Sequence, residues 1–321
     1  FKETDFSSSN LRNMDVKFSR FVEVDFSNAE LQNSKISRSI FMNSDFRHAD
    51  LSQSYLSTST IINSDLRNSV FKNSDLRGVL MINSILENTI FENVDFSNSQ
   101  LKNIDFTKTT LKNSKFSGAE IIKCVLYEMD FSTLEIHGDK LTGSPTDFVS
   151  CSMKYSNFSK VNMNNVDFTS KEITRENEIY SGSDLSYSTF TGVDLRTTMF
   201  SMWSSVDHKT LHTKYEIPIG VDPLDLVRNT ISPKLEYVIF DNVDLRDNDL
   251  SLINLKHSQI TDSNLANTSL KNSDLSFSSI INSDLSGANL EGANLEGVIL
   301  DNVIFTGANL KCVNHTICES G

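Results

Sequence analysis

The sequence predicts an all-β solenoid built from coils of twenty residues, each with four five-residue faces. Three observations predict it. Every fifth residue from Phe1 to Phe131 is apolar, a small residue stands two places before most of these centres, and whole hexapeptides return at a spacing of twenty. A period of five fits neither an amphipathic helix nor an alternating strand. Searching for repeats first separates such a chain from a two-domain globular protein of the same 321 residues.

The centres begin Phe6, Leu11, Val16, Phe21, Phe26, Leu31, Ile36 and Phe41 and run without a miss through Leu126. The small residues include Ala29, Ala49, Ser64, Ser74, Ser99 and Ala119. A face with one large and one small inward side chain fills a narrow square core, and each coil pairs its backbone with the next at strand spacing. The longer period supports four faces: FMNSDF at Phe41 returns as IINSDL at Ile61, as MINSIL at Met81 and again as IINSDL at Ile280.

Breaks in the phase divide the chain into continuous repeats over 1–131, a loop over 132–147, repeats over 148–168, a charged loop over 169–182, repeats over 183–200, an insertion over 201–234, repeats over 235–311 and a tail over 312–321. All four prolines, Pro145, Pro218, Pro223 and Pro233, fall outside or at the edges of the repeats, because a proline within the ladder deletes a hydrogen bond. Within the largest insertion, VDHKTLHTKYE and the proline-initiated PLDLVRNTI are candidate short helices. All of these are excursions from one solenoid, so a single domain is expected. Some twelve or thirteen coils at about 4.8 Å each give a rod roughly 60 Å long. The chain starts in phase at Phe1 without an initiator Met, as a domain cut from a longer protein would.

The unit small, Asp or Asn, Leu or Phe, polar, polar resembles the pentapeptide-repeat family, whose consensus A(D/N)LXX is seen as ADLSQ (Ala49 to Gln53), SDLRN (Ser64 to Asn68) and GANLEGANLEG (Gly287 to Gly297). The resemblance implies a right-handed quadrilateral β-helix with the centre and the small residue pointing inward. It also implies a protein without enzymatic activity. Some family members are interaction domains of bacterial effectors and adaptors, and others protect DNA gyrase by presenting an acidic rod with the size and charge of duplex DNA.

Composition excludes several classes. The chain has 29 Lys and Arg against 42 Asp and Glu, a net charge of −13, which disfavours a phosphate-backbone binder and a polybasic membrane anchor. No apolar stretch reaches the roughly 18 residues of a transmembrane helix, and FKETDFSSSN has neither the basic nor the apolar region of a signal peptide. A cytoplasmic protein, or one translocated into a host cell, is expected rather than a classically secreted one. The acidity is uneven. Residues 236–321 hold 4 basic and 12 acidic side chains, a net of −8, whereas residues 1–131 hold 15 and 17, a net of −2.

Chemistry is sparse. There is no GxSxG elbow, glycine-rich phosphate loop or pair of buried carboxylates, so no enzyme activity and no cofactor are expected. His208, His212 and Glu216, beside Asp207, have the spacing of one helical face and are weighed as zinc ligands, but a solvated polar face is the expected reading and no metal is predicted. Cys124 and Cys151 hold the small inward position, where a thiol acts as a small hydrophobe. Cys312 and Cys318 are close enough for a local disulfide in an oxidising compartment. The sequons at Asn157, Asn267 and Asn314 carry little weight in so Asn- and Ser-rich a chain.

With chemistry absent, function is expected on the outer faces. Next to the centres Phe21, Phe41, Ile61, Met81, Leu101 and Ile121, the outward residues are Val22, Met42, Ile62, Ile82, Lys102 and Ile122, with Ile40 and Leu80 on the other side of their centres. Such an apolar column is larger than solubility favours without a cover or a partner. The candidate partner-binding residues are therefore Val22, Ile40, Met42, Ile62, Leu80, Ile82 and Ile122. A neighbouring row of Asp5, Asp25, Asp45, Asp65 and Asp105 is read as family consensus, partly offset by Arg47 and Arg67. Near the C-terminus, Asp274, Asp284, Glu291, Glu296 and Asp301 have much less compensation, with no basic residue following them until Lys311, and form a candidate acidic surface. The first reading is a protein-interaction scaffold whose partner the sequence does not name. The alternative is a DNA mimic acting on gyrase or a related topoisomerase. Against it stand the longer rod, the charge-balanced N-terminal half and an ending, CVNHTICESG, that lacks the dimerisation helix expected of that group.

Overall fold

The five-residue faces share one plan. In a computed structural model of the chain, which describes residues 1–169, 171–173, 178–180, 183–200 and 232–318, the centre and the small residue two places before it are buried in the inner coils and half-buried in most faces of the first and last. The residues on either side of the centre point outward, and the second residue after it turns the corner. That corner residue has a left-handed backbone, with φ of 59° at Asn33, 51° at Asn63 and 56° at Asn93. Asn tolerates this region better than other non-glycine residues because its short side chain bonds locally. A chain with only 12 Gly turns its described corners on Asn more often than on any other residue.

The small inward residue is often Ser, and many of these hydroxyls bond a backbone carbonyl, although those of Ser34, Ser99 and Ser278 are buried without a partner. Ser74 Oγ donates to the Leu51 carbonyl at 2.7 Å and Thr89 Oγ1 to that of Leu66 at 2.7 Å, one coil back. These bonds satisfy buried polar groups that would otherwise cost stability. The large residues stack on their counterparts: Phe21 lies 5.0 Å from Phe1 and 4.8 Å from Phe41, within 4° of parallel.

The chain forms two compact units, Phe1–Tyr127 with Thr133–Asp147, and Glu128–Ser132 with Phe148–Gly321. In the first, β1 (Arg20–Val22), β2 (Ile40–Met42), β3 (Thr60–Ile62), β4 (Leu80–Ile82), β5 (Gln100–Lys102) and β6 (Glu120–Ile122) pair in parallel and in strict twenty-residue register. The other three faces are held by isolated parallel bridges at the same spacing, such as Asp25↔Asp45, Glu30↔Asp50 and Lys35↔Tyr55. This is the parallel quadrilateral β-helix that the sequence predicts.

The repeats of this unit run five residues beyond the expected end at 131. Ile136 is buried as a further centre, and Glu135 bridges to Lys115. The phase is hidden because Leu134 fills the position normally given to a small residue. The loop proper starts after it and is anchored by Thr146, whose hydroxyl donates toward the carbonyls of Phe116 and His137 and accepts from the Gly118 N–H. Strand β7 (Thr146–Val149) follows, and later β8 (Val166–Asp167).

The second unit repeats the design. Here β11 (Thr189–Thr191), β12 (Ile239–Asp241), β13 (Gln259–Thr261), β14 (Ser279–Ile281) and β15 (Ile299–Asp301) form a parallel sheet. The excursion expected as a loop over 169–182 contains an antiparallel hairpin, β9 (Lys171–Ile173) paired with β10 (Glu178–Tyr180). Its Ile and Tyr residues favour extended backbone on both sides of a charged connection. Across this excursion Asp184 pairs with Ser152, and across the next one Lys234 pairs with Asp184. Both excursions therefore leave after one face, at Phe168 and at Phe200, and rejoin on the next, at Leu185 and at Leu235. The candidate helices of 201–234 and the His208, His212 and Glu216 cluster lie outside the described residues.

Candidate partner-binding faces

The apolar column is set by the register of β1 to β6. Val22, Met42, Ile62, Ile82, Lys102 and Ile122 align across neighbouring strands, and so do Arg20, Ile40, Thr60, Leu80, Gln100 and Glu120. The two columns flank the buried centre row on one outward face. Ile40 is exposed, and Val22, Met42, Ile62, Leu80 and Ile82 are half-buried by their own neighbours in the stack. Six of the seven proposed contact residues therefore share one surface. Ile122 does not belong to it: its exposure is only 7%. Strand β7 starts over the end of β6, with Asp147 N–H donating to the Ala119 carbonyl at 2.8 Å, so the last rung is not an open end. Lys102 interrupts the column before it.

The structure adds one contributor to this surface. Ile85 replaces the aspartate expected in the row of Asp25, Asp45, Asp65 and Asp105 and is 52% exposed. It stands one corner away from Ile82, across Asn83, and lines a shallow groove with Glu87, Asn103, Asp105 and Lys108. An irregular hydrophobe at a consensus aspartate position is a signal that the sequence does contain.

The aspartate row itself is partly neutralised from within. Arg47 and Arg67 each clasp the aspartate two residues back, Asp45 and Asp65, and Arg47 also reaches Asp65 at 3.9 Å. The same clasp recurs at Asp75 with Arg77, Asp194 with Arg196, and Asp244 with Arg246.

The five C-terminal acids are spread around the coil rather than gathered in one stripe. Asp274 and Glu296 flank the centres Leu275 and Leu295, Asp301 follows Leu300 on β15, Asp284 precedes Leu285, and Glu291 follows Leu290. Two of them are paired with lysines one coil earlier: Lys256 lies 3.2 Å from Asp274, and Lys271 lies 3.4 Å from Glu291. Burial raises the Asp274 carboxyl, but bonds from the Ser276 hydroxyl and N–H and the nearby Lys256 outweigh it and hold the group below the usual carboxylate range. The charge compensation that looks absent along the chain is supplied between coils.

The C-terminal cysteines are joined: Cys312 and Cys318 form a disulfide, and Cys312 is buried at the end of the last coil. Cys124 and Cys151 are buried and are not joined in a disulfide. Among the described residues no group of His, Cys, Asp and Glu is placed to hold a metal ion, and no helix is long and apolar enough to cross a membrane.

Comparison with known proteins agrees with this architecture. The family model for pentapeptide repeats matches in eight copies, over residues 1–41, 19–57, 39–78, 89–127, 239–276 and 283–314. No curated protein matches the sequence. Among solved structures, the chain is similar to HetL, a pentapeptide repeat protein involved in heterocyst differentiation regulation from the cyanobacterium Nostoc sp. strain PCC 7120. That match has 19% identity, covers 97% of this chain and 89% of the other, and has a TM-score of 0.23. It is also similar to QnrB1, a plasmid-mediated fluoroquinolone resistance protein, at 12% identity over 94% and 92% of the two chains with a TM-score of 0.23. A third is Rfr23 from the cyanobacterium Cyanothece 51142, at 16% identity over 61% and 91% with a TM-score of 0.17. Superpositions this loose carry no argument about what this chain does. The family match rests instead on more than half of the residues and on the five-residue geometry of every described coil: the chain belongs to the pentapeptide-repeat family.

Proposed function

We propose that the protein is a non-enzymatic interaction scaffold, of the kind used by effector and adaptor proteins, that binds another protein through the outward face of β1 to β4. The observation that carries this reading is the alignment of Val22, Met42, Ile62 and Ile82 in one column, with Ile40 and Leu80 beside it on the same sheet. Branched residues suit a strand by propensity alone, but polar Thr, Gln and Lys occupy equivalent positions at Thr60, Gln100 and Lys102. The fold therefore does not require an apolar side chain there.

The test is a triple variant, Met42→Lys, Ile62→Lys and Ile82→Lys, compared with the unaltered chain in pull-downs, with bound proteins cross-linked and the contact sites mapped. Loss of the bound partner from a variant with unchanged circular dichroism supports the reading. Equal capture by both removes it.

A second reading, protection or inhibition of gyrase by mimicry of DNA, is favoured by the net charge of −8 over 236–321. It draws less support, because the acids lie on different faces and two are neutralised by Lys256 and Lys271. A supercoiling assay with purified gyrase decides it: inhibition or drug protection at micromolar protein supports it, and no effect rejects it.

A further inference from the structure

The second unit carries a column of aromatic rings at the left-handed corner. Tyr155, Tyr187, Tyr237, His257 and Phe277 occupy this corner in five successive coils, with φ between 58° and 64°. Their spacing in sequence is 32, 50, 20 and 20, so no simple period reveals the column. In space the rings stack. Tyr155 and Tyr187 have centroids 4.7 Å apart and lie 8° from parallel, and Tyr187 and Tyr237 are 4.7 Å apart at 5°. His257 and Phe277 continue the stack at 4.7 and 5.5 Å. The three tyrosines are nonetheless 49%, 42% and 40% exposed.

We propose that Tyr155, Tyr187 and Tyr237 form an oxidative coupling site, where peroxide acting through a haem peroxidase joins neighbouring phenols into dityrosine. Each phenol gives up one electron and one proton, producing two phenoxyl radicals. The radicals couple by a carbon–carbon bond between ring positions ortho to oxygen. The two ortho protons then move to the oxygens and restore both phenols. In sum, two tyrosines and one hydrogen peroxide give one dityrosine and two waters.

Three features carry the proposal. Nearly parallel rings with centroids 4.7 Å apart keep neighbouring phenols in contact, so a radical formed on one ring meets its partner without diffusion. Exposure leaves the rings accessible to the oxidant and gives the side chains room to tilt into the coupling geometry. Tyr187 also has its phenol raised above the usual value, first by burial and then by the neighbouring Tyr155 and Tyr237, so it is a neutral phenol whose oxidation releases a proton together with the electron. A Tyr155–Tyr187 bond ties the coils on either side of the β9–β10 excursion, and a Tyr187–Tyr237 bond does the same across 201–231. Tyr55 supplies the contrast: it is 50% exposed, but its column places Lys35 and Asp75 on its two sides.

The test treats the full chain with a haem peroxidase and hydrogen peroxide, then digests it and identifies linked peptides by mass spectrometry. The expected products are Tyr155–Tyr187 and Tyr187–Tyr237 pairs, each lighter by two hydrogens than the separate peptides and formed in equal yield after tenfold dilution. Tyr187→Phe retains a stacking ring and should lower both products at least tenfold, whereas Tyr55→Phe should change neither. Links through Tyr55, a yield that falls with dilution, or undiminished coupling in Tyr187→Phe each overturn the proposal.

Discussion

Arg67 holds Asp65 in a two-point clasp, with Nε donating to Oδ1 at 2.9 Å and Nη2 to Oδ2 at 2.6 Å, while the Arg67 backbone N–H donates to the same carboxylate at 3.1 Å. The arginine is two residues along the chain, so one turn of the coil fixes both partners at little entropic cost. Parallel guanidinium–carboxylate bonds of this kind are stronger than a point-charge pair.

Acid should weaken the protein through these clasps. Burial raises the Asp65 carboxyl, but the hydrogen bonds from Arg67 and the charges of Arg67 and Arg47 outweigh it, and the net position is below the usual value. Asp75 and Asp244 are likewise lowered. A carboxyl with a depressed folded pKa contributes stability that is fully present above its unfolded value, about 3.9, and is lost as pH falls through the folded value. Thermal melts are therefore expected to be flat above about pH 5 and to drop below pH 4. Arg67→Ala should lower the melting temperature only slightly at pH 7, because an exposed clasp is screened by solvent, and not measurably at pH 2, where Asp65 is protonated.

Corner asparagines should be replaceable by glycine but not by branched residues. Asn73 has φ 56° and accepts from Asn93 Nδ2 at 3.1 Å. Asn73→Val is expected to cost about 1–2 kcal/mol in urea denaturation, because a β-branched residue resists the left-handed region. Asn73→Gly should stay within about 1 kcal/mol of the unaltered chain, losing the side-chain bond but relieving the backbone.

Core phenylalanines should be the most sensitive positions. Phe41 is fully buried and stacked on Phe21, with Phe26 and Phe46 edge-on at 6.2 and 5.3 Å. Phe41→Ala is expected to destabilise by about 3–5 kcal/mol and Phe41→Leu by considerably less, measured by denaturant midpoint.

Reduction should act at one end of the second unit. Val313 N–H donates to the Ala293 carbonyl and the Leu295 N–H to the Val313 carbonyl, so the tail behind Cys312 is the last rung of the ladder. Opening the Cys312–Cys318 bond releases a short loop worth about 2–3 kcal/mol in the chain-entropy picture. Amide exchange at Leu295 and Val313 should quicken on reduction, while that of Leu66 and Phe71 stays unchanged. A thiol count should find no reactive cysteine in the native oxidised protein, because Cys124 and Cys151 are buried.

How far the sequence reaches is decided by what each feature depends on. The square core is legible because Phe21, Phe26, Leu31 and Ile36 repeat within a few residues of one another, and a single inward position fixes all the others. Features between coils are hidden, because they depend on which residue lies one turn away. The pairing of Lys256 with Asp274 and of Lys271 with Glu291 turns a seemingly bare acidic end into a partly neutralised one. Ile136 is missed because Leu134 disguises the repeat. The tyrosine column is missed because two excursions stretch its spacing. The Asn bias at the corner is present in the sequence throughout, and its meaning becomes clear only once the backbone at Asn33 or Asn63 is seen to be left-handed.

Asp184 pairs with Ser152 on one side and Lys234 on the other, although 32 and 50 residues of chain separate them. A coil that closes in the same phase after such detours works like a standard socket. Chain length at the corner after Phe168 or Phe200 is decoupled from the geometry of everything stacked above and below it. New segments, including a fluorescent or affinity domain, can be spliced there without shifting a single rung, and a lineage of such proteins can diversify at that corner while the stack itself stays fixed.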